Sequence, residues 1–256
     1  MAKPESTRAT ETLHEIESVF DRAAQRVAQN PRLVLAVLGV VLATAAAIGG
    51  TQALRARQEG AASAEVAGIQ ADYRRAMGAQ VGQGEIPEPA NAEAAAATRR
   101  EYATRLVEAA DRLAGTPAGV TARLQAGTLQ AELGEGDAAL ATWRKAAEDA
   151  PADSVLAALA QTRLAAGLEA AGDPAGAAEA YLSAAEIAEF PGRVPALGDA
   201  ARCFAQAGQT ARALEIFAGL SEEEVAKLPV YVSARLAELR IRARPSTPPE
   251  ATSEAR

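Results

Sequence analysis

Very few side chains in this chain have types and spacing suited to chemistry. There is one histidine, His14, and one cysteine, Cys203. A histidine-assisted nucleophile or a histidine metal cluster needs partners that a lone histidine near the N-terminus lacks. Cys203 precedes Phe204 in an apolar helical pattern and reads as a small core residue, because a reactive thiolate wants a cationic, accessible setting. With one cysteine there is no intramolecular disulfide, and the redox compartment is not legible. The segments LGEGD (133–137) and AAGDP (170–174) resemble phosphate-cradling glycine loops in isolation, but neither is followed by Lys-Ser or Lys-Thr. The acidic run Glu222, Glu223 and Glu224 falls at a predicted helix start, where acids complement the helix dipole. No catalytic, cofactor-binding or metal-ligating set is therefore expected, and the chain does not read as an enzyme.

Spacing carries more information than reactivity. Three times a glycine is followed five residues later by alanine and nine residues later by an aromatic. The copies are Gly134, Ala139 and Trp143, then Gly172, Ala177 and Tyr181, then Gly208, Ala213 and Phe217. Periods of this length mark a stacked solenoid of helical hairpins. The first copy is fullest, with Gly127 on its first helix, Gly134 at the turn, Ala139, Trp143 and Ala146 on its second helix, and Pro151 as the stop. Small residues let paired helices approach, the ring fills the gap between hairpins, glycine tolerates a left-handed turn and proline cannot continue a helix. These residues resemble the tetratricopeptide repeat. The second copy keeps Leu164, Ala165 and Ala184 as well, with Phe190-Pro191 slightly late. In the third, Leu220 replaces the small residue and no terminal proline follows, as expected of a capping repeat.

The tetratricopeptide resemblance implies a concave groove lined by the first helix of each hairpin. On this chain those positions are Thr121, Leu124, Thr128 and Glu132, then Leu159, Thr162 and Glu169, then Arg202 and Gln206. Such a groove is mildly apolar and mildly acidic. Arg202 is its one basic residue, so it lacks the lysine and asparagine clamp with which some tetratricopeptide domains hold a partner's C-terminal carboxylate.

Residues 33–54, LVLAVLGVVLATAAAIGGTQAL, carry no charge. At about 1.5 Å per helical residue the run is long enough for a hydrocarbon core of about 30 Å, so one transmembrane helix is expected. Arg32 on one side and Arg55 and Arg57 on the other can snorkel to the interfaces. The rival reading is a cleaved signal peptide with processing near residues 43–47, leaving a soluble binding protein. Against it stands a 32-residue leader carrying Glu5, Glu11, Glu15, Glu17 and Asp21 where a short basic region is expected. Arginines flank both ends, so the positive-inside rule does not decide orientation. The short leader and the large acidic domain favour an N-terminus in the cytoplasm.

Composition agrees: 49% hydrophobic but only 4% aromatic, which is an alanine-rich, helix-favouring balance. The leader's five acids are matched by Lys3, Arg8, Arg22, Arg26 and Arg32, so the net charge of −7 belongs to the part after the span. No basic footprint for nucleic acid exists there. The fold class expected is all-α, a single N-terminal transmembrane helix followed by a tetratricopeptide-like solenoid. Its parts are a tail with an amphipathic helix (1–31), the span (32–55), a juxtamembrane helix and Gly/Pro loop (56–91), the repeat domain (92–243) and a polar proline-rich tail (244–256). In the leader, Thr12 and Glu15 form a capping-box pattern, and Leu13, Ile16, Phe20, Ala23 and Val27 form a stripe that would lie on the membrane, rest on a partner, or be only transiently helical. Val66, Ile69, Tyr73 and Met77 mark the juxtamembrane helix, which would complete an imperfect hairpin with a helix near 92–114 whose Tyr102, Leu106, Val107, Ala110 and Leu113 face inward. Val230, Ala234, Ala237 and Ile241 are expected to cover the open end of the stack.

The order of leader, single span, amphipathic helix and degenerate hairpins resembles the bacterial ancillary Sec-translocon subunits, the YfgM-like proteins. The resemblance rests on RLVLAVLGVVLATAAAIGGTQALRARQ (32–58), on LQAGTLQAELGEGDAALATWRKAAEDAP (124–151) and on its second copy. It implies a single-pass inner-membrane protein with periplasmic repeats that works beside the translocon, with chaperones, on emerging secretory chains. The long helical leader, the PEPAN insertion and the PSTPPE tail depart from that pattern, which leaves a scaffold of another envelope machine (division, secretion or a surface apparatus) as the alternative.

Overall fold

The computed structural model describes residues 31–80 and 85–242, so the leader helix and the polar tail lie outside the described residues. Among those described, ten α-helices and no strand occur. They are α1 (Pro31–Ala76), α2 (Ala92–Arg112), α3 (Pro117–Glu132), α4 (Gly136–Asp149), α5 (Val155–Ala170), α6 (Pro174–Ala185), α7 (Arg193–Gln206), α8 (Thr210–Ala218), α9 (Glu222–Ala226) and α10 (Val230–Arg242). The chain divides into two compact units, Met1–Gln58 and Glu59–Arg256, with the boundary inside α1.

In the first unit, α1 begins with proline at its first position, where a missing N–H costs nothing. It is long and apolar enough to cross a bilayer. Leu38, Val40, Val41, Leu42, Ile48 and Leu54 are exposed on it. Its threonines are satisfied within the helix: the hydroxyls of Thr44 and Thr51 donate to the carbonyls of Val40 and Ile48 at 2.8 and 2.9 Å, as a lipid environment demands.

In the second unit the remaining turns of α1 bury Ala62, Val66 and Ile69 with Tyr102, Leu106, Ala109 and Ala110 of α2 and Ala122, Ala126 and Leu129 of α3. Of these, α1 and α2 meet through side chains, with the Tyr73 and Tyr102 ring centroids 5.5 Å apart, and lie less closely than the paired helices α2 and α3. Each helix from α3 to α7 packs on its predecessor and successor, α3 also touches α5, and α10 rests on α7 and α8. Contacts restricted to near neighbours define a solenoid. Helix starts are set by side chains: Asn91 accepts from Glu93 and Ala94 N–H, while Thr116, Ser154 and Asp173 cap α3, α5 and α6. Gly134, Gly172 and Gly208 adopt φ of 76°, 82° and 78° with open space around them, so backbone conformation is what requires glycine at these turns. Ala150 is extended ahead of Pro151, which ends α4. Ser221 and Glu224 form a full capping box, so the acidic run does open a short helix.

The small repeat positions lie where helices touch. Ala139 and Ala146 of α4, Ala177 and Ala184 of α6 and Ala213 of α8 are all buried. A larger side chain at any of them would push one helix off its neighbour.

The terminal helix corrects one expectation. Val230, Ala234, Ala237 and Ile241 of α10 are all exposed, and Val232 and Leu236, with Leu228 before them and Leu239 partly buried, close the stack instead. Both stripes have helical spacing, but they lie on opposite sides of the helix. The side that buries two leucines removes more apolar area from water.

Candidate protein-interaction surface

The first helices of the hairpins are the C-terminal turns of α1, then α3, α5 and α7. The residues expected to line their groove have different fates. The hydroxyls of Thr121, Thr128 and Thr162 turn back onto the carbonyls of Pro117, Leu124 and Ala158 at 2.9, 3.0 and 2.8 Å. Leu124 is half-buried against Val120, Ala146 and Ala160. Leu159, in contrast, is 45% exposed, and Val155 one turn earlier on α5 is also exposed. Gln206 is exposed at the end of α7 and Glu132 pairs with Arg99 at 3.0 Å. A cavity of about 480 Å³ is lined by Thr128 and Glu132 together with Tyr73, Met77, Ile86 and Arg99, among others. Arg202 and Gln206 line a second of about 260 Å³ with Tyr231 and Arg235 of α10. Of the nine expected groove residues, Thr128 and Glu132 line the first cavity, Arg202 and Gln206 line the second, and Leu159 belongs to an apolar patch on α5 between them in the chain.

Glu169 and Arg202 meet across α5 and α7 in a two-pronged ion pair at 2.5 and 2.8 Å, and Arg202 also reaches Asp199 at 3.2 Å. The guanidinium holds the Glu169 carboxyl below the usual carboxylate range. Burial pushes Asp199 in the opposite direction despite the same arginine. Burial likewise pushes the Cys203 thiol to about 12 and the Tyr181 phenol to about 12. Cys203 has no exposed surface, so at neutral pH it is a protonated core residue that donates weakly to Glu169 at 3.7 Å.

Trp143 organises the first complete hairpin. Its Nε1–H donates to the Leu124 carbonyl at 3.2 Å, and the ring lies between Gly127 of α3 and Gly167 of α5. A side chain at Gly127 would collide with the indole nitrogen, and one at Gly167 would stand 2.9 Å from its Cε3. Gly127 is legible as a repeat position. Gly167 is not, because it lies two residues beyond the small position of the second copy, although a glycine inside a helix is itself a sign of close approach.

The aromatic positions of the other two copies have different surroundings. Tyr181 and Phe217 are buried in one cluster that also holds Phe204, Val232 and Leu236. Among the described residues no further hairpin of the same kind follows Phe217, and its ring does not fill a gap between two such repeats there. It is covered from the α10 side instead, where the Arg240 guanidinium stands 4.7 Å from its centroid.

Two further arginines are not legible from spacing. Arg123 is only 3% exposed and joins α2 to α4 by pairing with Asp111 at 2.9 Å and Asp149 at 3.0 Å. Lys145 shares Asp111 at 3.1 Å, and these two cations hold that carboxyl below its usual range. Arg99 ties the loop after α1 to the stack through Glu88. Every buried side-chain N or O among the described residues has a partner, and no group of three metal-ligating residues occurs there.

Comparison with known proteins adds one family. Its sequence profile, described as tetratricopeptide repeat, matches residues 168–239, which span the end of α5 to α10. No curated protein matches the chain. Repeats of this kind are ordinarily non-enzymatic scaffolds for protein interaction.

Proposed function

We propose that this protein is a membrane-tethered adaptor whose hairpin groove receives segments of other proteins. The observation that carries this reading is the surface of α5. Val155 and Leu159 remain exposed on a helix whose Leu164 and Leu168 are packed, while the Thr162 hydroxyl is satisfied within the chain. Such a surface suits an apolar or amphipathic stretch of polypeptide better than a charged terminus. Joined to a helix able to cross a bilayer, it favours clients met at the membrane.

The specific role is that of a translocon-associated, chaperone-like subunit in a bacterial inner membrane, with its N-terminus in the cytoplasm and its repeats in the periplasm. Its support is the order of elements and the resemblance to the YfgM-like subunits. The test is a photoreactive residue at Leu159 in membranes, followed by mass spectrometry. Translocon subunits or many different unfolded secretory chains are expected; a single recurrent envelope protein would instead mark a dedicated scaffold. Leu159→Glu should weaken capture about tenfold with helicity unchanged, since a charge would then be desolvated in an apolar contact.

A further inference from the structure

We propose that the exposed face of α10 is a self-association surface that pairs two copies of this chain antiparallel about a two-fold axis. The terminal element of a solenoid normally shows a polar outer face, because nothing stacks on it. Here Val230 is 82% exposed, Tyr231 66% and Ile241 71%, with Ala234 and Ala237 exposed between them. The opposite side of the helix, Val232 and Leu236, is already spent on the core.

The stripe is self-complementary. In an antiparallel pair centred between Ala234 and Ala237, Val230 meets Ile241 of the second copy and Ala234 meets Ala237, and each contact occurs twice, as an isologous interface requires. The bulky residues lie at the ends and the small ones at the axis, so two helices can approach closely where they cross. The flanks fit as well. One edge of the stripe carries Tyr231 and Glu238, whose carboxylate is already paired with Arg235 at 2.8 Å, and the other carries Ser233 and Arg240, whose guanidinium is turned onto Phe217, so neither edge holds out a bare charge to its copy. Opposed helix dipoles favour the same order. The stretch 243–256 has no apolar side chain larger than proline, so it is a poor cover for this face.

A helix of 13 residues, about 20 Å long, makes a patch smaller than the ~800 Å² per partner of a stable interface. The contact therefore suits chains concentrated by an anchor in one bilayer, and in its strength it rests on the membrane-tethered reading.

The test uses the full chain in lipid vesicles, with differently tagged copies carrying Ala234→Cys and Ala237→Cys. Disulfide formation between the two should exceed, severalfold, that between two Ala234→Cys copies; parallel pairing would reverse the order and overturn the proposal. Adding Ile241→Glu should lower crosslinking about tenfold by placing a charge against Val230, and Val230→Lys with Ile241→Glu should restore it through a new cross-axis ion pair. Both positions are exposed, so the variants should fold, which circular dichroism checks. Crosslinking no greater than from Ala211→Cys on the exposed side of α8 would also overturn the proposal. So would crosslinking indifferent to Ile241→Glu, which would place association in α1, and so would capture of a different protein by the Ala234→Cys chain. Sedimentation with the vesicles after alkaline washing, read separately, tests the anchor itself.

Discussion

Replacing Gly167 by alanine should destabilise the repeats even though alanine is the better helix former. The new Cβ would stand 2.9 Å from Cε3 of Trp143 and 3.1 Å from Cδ1 of Leu140. The indole has no room to retreat, since Gly127 closes its other side and its N–H is held by the Leu124 carbonyl. Overpacking of this kind costs about 1–3 kcal/mol, against which the helix gains about 1 kcal/mol from losing a glycine. The net loss is up to about 2 kcal/mol, toward the upper end because both contacts are far inside van der Waals distance. With an m-value of about 2 kcal/mol/M, the urea midpoint should fall by up to roughly 1 M. Trp143 is the one tryptophan, so its emission during urea titration of the detergent-solubilised chain reports this interface directly. Gly68 supplies the control: it is helical and exposed with open space around it, so Gly68→Ala should raise stability by up to about 1 kcal/mol, read by ellipticity. The penalty at Gly167 should also shrink in a Trp143→Leu background, again read by ellipticity. Gly167→Ala at or above wild-type stability would refute the wedge.

Trp143→Ala removes the ring itself and should cost about 3–5 kcal/mol, seen as an early loss of ellipticity in urea. A second outcome concerns pH. Glu169 is held below its unfolded value by Arg202, so its contribution to stability is full above the ordinary carboxylate range of about 4.3 and is lost as pH falls through the lower folded value. The difference in melting temperature between wild type and Glu169→Gln should be flat above about pH 5 and shrink below about pH 4. Asp199, whose shift has the opposite sign, is present in both proteins and largely drops out of that difference.

The parts of the fold that are legible in the sequence are those set by local necessity. A left-handed turn needs glycine at 134, 172 and 208 whatever packs around it, and the stripe of Val66 and Ile69 could only face a partner helix. Ala177 and Ala213 belong with these, since a close helix crossing demands a small residue before any neighbour is known. What stays hidden depends on protrusion and choice between faces. Spacing presents two apolar sides of α10 and cannot say that Val232 and Leu236 win, nor that α10 covers Phe217. It identifies α5 as a groove helix but not that Leu159 stands clear while Leu124, the leucine expected on the groove side of α3, is half sunk into the core. Arg123 looks like any helical arginine because its acids, Asp111 and Asp149, sit on two other helices.

Alanine-rich packing explains why such arginines matter. Alanines let helices touch closely but give few knobs to fix one hairpin's register on the next. Ion pairs supply that information. Arg99–Glu132, Arg100–Glu135, Asp111–Lys145, Glu169–Arg202 and Glu179–Arg212 join residues 33 to 35 positions apart, close to one repeat length. Pairs as open as Arg212–Glu179 are worth little and fade with salt. Arg99 and Arg202, at 15% and 16% exposure, are screened far less. They clamp successive groove helices or their supports at the two cavities, where Glu132 and Arg202 themselves form part of the lining. The same side chains therefore set the angle between hairpins and the polarity at the ends of the groove, so a change at either arginine should alter curvature and partner choice together.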